Sequence, residues 1–88
     1  MLKVYSKTNC PFCDKAKHLL TTKGHNYEVV NIEQDPEARE WLIAQGHRAV
    51  PQIYLGDELF VEGGYQGLAR LSDEEINQRL GESNVSNQ

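Results

Sequence analysis

Apolar and polar residues alternate over Leu2 to Ser6 (LKVYS), and this period of two, with Val and Tyr in the run, predicts a short strand. From Pro11 the period lengthens. Ala16, Leu19, Leu20 and Lys23 fall on one helical stripe, the Lys23 stem covering its end, while Asp14, Lys15, His18 and Thr22 lie elsewhere. Pro11 suits the first helical position, where no backbone N–H is needed, and Gly24 is placed to end the helix. Asn26 to Ile32 (NYEVVNI) is rich in β-branched residues and reads as a second strand. Asp35 as N-cap and Pro36 after it open a second helix with an apolar stripe of Ala38, Trp41, Leu42 and Gln45, closed by Gly46. Gln52 to Leu55 and Glu58 to Val61 flank Gly56-Asp57, the turn pair of a β-hairpin. Gly63-Gly64 breaks the chain before a third helix from Tyr65 to about Leu71, and Ser72 with Glu75 forms a capping box for a last helical piece ending near Leu80.

The order β-α-β-α-β-β-α makes this an α/β chain. The first two strands, joined by a helix, form a parallel pair, the hairpin adds an antiparallel one, and a four-stranded mixed sheet with helices on both faces follows. At 88 residues there is room for one domain, expected over 1–80, with the polar residues 81–88 (GESNVSNQ) as a frayed tail. Leu, Ile, Val and Phe number 21 of 88, above the level at which chains stay disordered, so a small core is expected. A net charge of −4 draws the surface neither to phosphate backbones nor to anionic lipid. Nucleic acid and membrane are therefore not expected partners. The sequence carries neither a spanning apolar run nor the apolar stretch of a secretory signal at its start, so a cytoplasmic monomer is the expectation.

The two cysteines, Cys10 and Cys13, stand in CPFC where the first strand gives way to the first helix. A disulfide closing so short a loop restrains the unfolded chain little, so structural stapling is a poor use of the pair and redox chemistry a better one. Cys10 falls at the N-cap, where unpaired backbone N–H groups and the positive end of the helix dipole favour a thiolate. An ordinary thiol, with a pKa of about 8.5, is only about 3% ionised at pH 7, and lowering that pKa to about 6 or 7 raises the attacking species roughly tenfold or more. Cys10 is thus the expected nucleophile. Cys13, one turn in, suits the resolving thiol. Two rival uses of Cys-x-x-Cys remain. Zinc would draw on His18, His25 or His47, whose spacing fits no usual ligand set, and an iron–sulfur cluster would need two further thiolates from a second subunit or from small thiols.

The strand and helix order is the thioredoxin-like arrangement, and three blocks are more specific: KTNCPFCDKAKHLL at 7–20, AVPQIYLG at 49–56 and GGYQGL at 63–68. In order and spacing, over nearly the whole chain, they resemble the signature blocks of the glutaredoxins. The resemblance implies a thiol–disulfide oxidoreductase with glutathione as reducing co-substrate and no tightly bound cofactor or metal. Its partners would be disulfide-containing proteins, with ribonucleotide reductase one client known in the family. It also implies roles along the site. Lys7 would stabilise the thiolate and attract a glutathione carboxylate, against the plainer reading of a solvated lysine. Phe12 stands where Tyr is frequent and would cover the cysteine pair. Val50 and a cis Pro51 would face the site and offer backbone to an incoming peptide, although proline at a strand start is also ordinary sheet grammar. Gly64 would let the chain approach the ligand, with N–H groups at Tyr65 and Gln66 receiving the γ-glutamyl carboxylate. Arg48, beside His47, would add positive charge. Ala49 replaces the family's Thr, and Gly67 replaces an aspartate that would pair with the glutathione amino group. These departures keep open a donor reduced by thioredoxin reductase, and, further off, a dimeric iron–sulfur carrier.

Overall fold

The computed structural model describes residues 1–83, with β1 at Leu2–Ser6, α1 at Pro11–Thr22, β2 at Tyr27–Asn31, α2 at Pro36–Ala44, β3 at Gln52–Leu55, β4 at Glu58–Val61, α3 at Gly64–Arg70 and α4 at Asp73–Ser83. The strands form one four-stranded sheet in the order β2-β1-β3-β4. β1 runs parallel to β2 and antiparallel to β3, with Val4 opposite Val29 on one side and Ile53 on the other, and β3 runs antiparallel to β4. The alternation in β1 sorts its side chains between two cores. Leu2 and Val4 pack with Ala16 and Leu20 of α1, Ile53, Phe60, Val61, Leu68 of α3 and Ile76 of α4. Tyr5 points the other way, joining Tyr54 and Leu42, with Ala38, Trp41 and Val50 packed around them. Helices thus cover both faces, as the element order requires. Each fully buried Leu or Ile in the larger core contributes roughly 1.5–3 kcal/mol, and this burial fixes the ends of β1 and α1 where the cysteines lie.

The helix starts follow their side chains. Asp35 Oδ1 accepts the Ala38 N–H at 3.1 Å. The capping box at α4 is reciprocal, with Glu75 N–H donating to Ser72 Oγ at 3.1 Å and Ser72 N–H to Glu75 Oε1 at 3.0 Å. Several boundaries differ from expectation. β2 is shorter than Asn26 to Ile32, although the Ile32 N–H still reaches the Ser6 carbonyl at 2.9 Å. Gln45 is exposed and caps α2 instead of joining its apolar stripe, its N–H turned back to the Trp41 and Leu42 carbonyls. α3 begins at Gly64 because Gly63, in the left-handed conformation at φ 88°, turns the chain into the helix one residue early. α4 continues past Leu80 to Ser83, so part of the expected tail is helical, and residues 84–88 lie outside the described residues. Among the described residues, no helix is long and apolar enough to cross a membrane.

Candidate active site

β1 delivers the chain to a tight turn at Lys7, Thr8 and Asn9, and Asn9 takes φ 57°, a left-handed conformation that asparagine tolerates better than most residues. The turn is anchored from the segment after β2: Glu33 Oε1 accepts the Thr8 N–H at 3.0 Å, and Asn31 Nδ2 donates to Thr8 Oγ1 at 3.3 Å. The bond from the Thr8 backbone, with Thr8's side chain and the nearby Lys7 ammonium adding to it, holds the Glu33 carboxyl below the usual carboxylate range. Cys10 follows as the N-cap of α1 and accepts the Cys13 N–H on its Sγ at 3.3 Å. The two cysteines are disulfide-bonded, with Cα atoms 5.2 Å apart. Cys10 is 6% exposed and Cys13 0%, so both are buried in the oxidised pair and what little exposure remains belongs to the Cys10 residue. Once the pair is reduced, the same N–H and the first turn of α1 favour negative charge on Cys10.

The facing wall is the loop into β3. The Val50–Pro51 bond is cis, as the resemblance implies, and the Val50 carbonyl oxygen stands 3.9 Å from Cys10 Sγ. Pro51 is buried, and Gln52 Nε2 donates to the Ala49 carbonyl at 2.8 Å, tying the loop to the start of its strand. Gly64 closes the wall from behind. A Cβ there would lie 2.6 Å from the Pro51 carbonyl oxygen, so the glycine is needed for α3 to approach this loop. Gly67 is constrained in the same way, since its Cβ would stand 1.7 Å from the Glu62 carbonyl oxygen. The absence of an aspartate at Gly67 is therefore built into the backbone here: α3 sits too close to the end of β4 for any side chain at that position.

Two grooves open on either side of Val50, whose carbonyl faces Cys10. One, of about 270 Å³, is lined by Phe12, Val50, Pro51, Gly64, Tyr65 and Gln66, and so joins most of the residues singled out in the sequence. Phe12 is 48% exposed, its ring 6.2 Å from that of Tyr65, and the Lys15 ammonium lies over both rings at 5.2 and 5.9 Å. The other groove gathers Lys7, Arg48 and Val50 with Arg39 and Ile43 of α2. Arg39 lies outside every motif block, and Lys15 lies inside one without a role of its own there; only the folded chain puts Arg39 in a groove with Lys7 and Arg48 and Lys15 over Phe12 and Tyr65. His47 borders the second groove, but its Nε2 lies 2.6 Å from Tyr54 Oη. Asp14, beside Cys13, pairs with Lys17 at 3.2 Å. Among the described residues, no three His, Cys, Asp or Glu side chains come together as metal ligands.

A cysteine at the N-cap of a helix, disulfide-bonded to a fully buried partner one turn in, and a cis-proline across from them, set on a four-stranded mixed sheet, define a thioredoxin-fold thiol–disulfide oxidoreductase. The glutaredoxin family model matches residues 2–60. The glutaredoxin-like protein NrdH of Escherichia coli (strain K12) is 34% identical over 56 residues, 64% of this chain and 69% of its own length. A probable glutaredoxin of Synechocystis is 39% identical over 59 residues, 65% of this chain and 67% of that protein. Among solved structures, NrdH-redoxin from Escherichia coli, described as having a thioredoxin-like activity profile, superposes with a TM-score of 0.67 at 28% identity, covering 88% of this chain and 91% of its own. A buckwheat glutaredoxin–glutathione complex gives a TM-score of 0.72 at 27% identity over 92% and 76% of the two chains. The chain belongs to the glutaredoxin family.

Proposed function

We propose that the protein reduces protein disulfides and glutathione mixed disulfides with glutathione as its reducing co-substrate. The observation that carries the dithiol chemistry is the different placement of its two sulfurs: Cys10 stands at the N-cap of α1, where its sulfur accepts the Cys13 N–H, and Cys13 is fully enclosed one turn in. The Cys10 thiolate attacks one sulfur of a substrate disulfide, forming a mixed disulfide and releasing one substrate thiolate. Cys13 then loses its proton and attacks Cys10 Sγ, releasing the second substrate thiolate and leaving the Cys10–Cys13 disulfide. Two electrons have passed to the substrate. Two glutathione thiols restore the dithiol and leave as glutathione disulfide. On a glutathionylated protein, Cys10 alone takes the glutathione sulfur and a second glutathione removes it.

The groove of Phe12, Val50, Pro51, Gly64, Tyr65 and Gln66 supports glutathione as an extended peptide laid along the Val50 backbone, with Lys7 and Arg48 on the side where a carboxylate would be neutralised. Clients would be cytoplasmic proteins that carry a reducible disulfide, ribonucleotide reductase among them. One observation favours a second reading. Gly67 leaves no side chain to pair with the glutathione amino group, and the relative with a thioredoxin-like profile supports a donor recharged by thioredoxin reductase instead. Steady-state assays with glutathione plus glutathione reductase, and separately with thioredoxin reductase, decide between them. Faster turnover with glutathione is expected, and turnover with thioredoxin reductase alone would replace the first reading by the second.

A further inference from the structure

The chain from Gly46 to Pro51 crosses from α2 to β3 outside any regular element, and its far end places the Val50 carbonyl beside Cys10. Its near end is fastened by His47. The His47 N–H donates to the Leu42 carbonyl at 3.1 Å, and the imidazole stands edge-on to Tyr54, centroids 5.6 Å apart at 84°, with Nε2 2.6 Å from the Tyr54 hydroxyl. Either group donates, according to the imidazole tautomer. Tyr54 is a rigid anchor. It is 3% exposed, sits in the β3 ladder opposite Lys3 and Leu59, and meets Trp41 and Tyr5 edge-on at 4.9 and 5.7 Å. Burial, with Tyr5 adding to it, raises the Tyr54 pKa, so the hydroxyl keeps its proton. The glutaredoxin-like chemistry alone gives no reason for a histidine and a tyrosine hydroxyl to meet in an otherwise aromatic and aliphatic cluster.

We infer that His47 is a positioning residue for disulfide exchange: its bond to Tyr54 sets where the loop presents the Val50 backbone to the disulfide partner. The inference rests on the oxidoreductase reading above. Because His47 does not touch the sulfurs, it acts on docking of the partner and not on the acidity of Cys10.

The test uses insulin as the protein disulfide with dithiothreitol as reductant, and compares wild type with Tyr54→Phe, which keeps the ring, His47→Phe, which removes the polar partner, and His47→Gln, which retains one. Both Phe variants should raise KM for insulin about five- to tenfold, the scale of one lost, partly buried hydrogen bond, with kcat little changed. The rate of iodoacetamide alkylation of reduced Cys10 should stay at the wild-type value, and His47→Gln should recover most of the lost affinity. An unchanged KM in Tyr54→Phe, or a lowered kcat and Tm at wild-type KM, would overturn the inference alone. Wild-type protein inert toward insulin would overturn the oxidoreductase reading and this inference with it.

Discussion

A Cβ at Gly67 meets the Glu62 carbonyl oxygen at 1.7 Å, while one at Gly24 meets nothing within 4 Å although φ is +79°. The two glycines therefore answer to different physics. Gly67→Ala must move backbone, and a loss of roughly 3 kcal/mol or more is expected in denaturant unfolding, against about 1–2 kcal/mol for Gly24→Ala, which bears only the left-handed conformation. Equal losses would contradict the close approach of α3 to the end of β4. At the sulfurs, Cys13→Ser should retain removal of glutathione from a mixed disulfide and lose protein disulfide reduction, read in parallel assays. Retention of both would contradict the resolving role. Cys10, Cys13, the Val50-Pro51 step and Gly63-Gly64 are legible in the sequence because each is a local pattern with a local physical meaning. The reason for Gly67 is not, because it lies in how closely a helix returns to the strand before it.

Among the elements, α4 carries the clearest local signal, its reciprocal capping box. Ser72→Ala should cost about 1 kcal/mol of stability, measured by urea unfolding. The Ser72 backbone N–H, with its hydroxyl, lowers the Glu75 pKa below its ordinary 4.5, and the Thr8 backbone does the same for Glu33. In each case the folded state holds its proton less tightly than the unfolded chain. The stability these carboxylates contribute is therefore full above about pH 4.5 and is lost as pH falls through their lowered values. Unfolding midpoints followed downward in pH should fall less steeply in Glu75→Gln than in wild type, and parallel curves would contradict the linkage. The hairpin strands and the starts of α1 and α2 follow from turn residues, prolines and caps. The end of β2, the exposure of Gln45 and the extension of α4 to Ser83 do not, since ladders and helix ends are decided by what packs beside them.

For the whole molecule, the two cores make the site a junction. The larger core holds α1, the helix that the cysteines open, the smaller aromatic core holds the loop that carries cis Pro51, and β1 and β3 contribute to both. Lys23 at the end of α1 pairs with Asp73 at the start of α4, joining those helices at the end of α1 far from Cys10. The element order announces this sheet and its helical layers. It gives no sign that Arg39 shares a groove with Lys7 and Arg48, that Lys15 lies over Phe12 or that His47 finds Tyr54, because those meetings depend on the angles at which layers pack. Every role assigned to the site requires the Cys10 sulfur to be an anion near neutral pH. The most direct test is the pH dependence of iodoacetamide alkylation of the reduced protein, with Cys13→Ser isolating the first thiol. The account predicts a midpoint at or below about pH 7, and a midpoint near the ordinary thiol value of about 8.5 would contradict it.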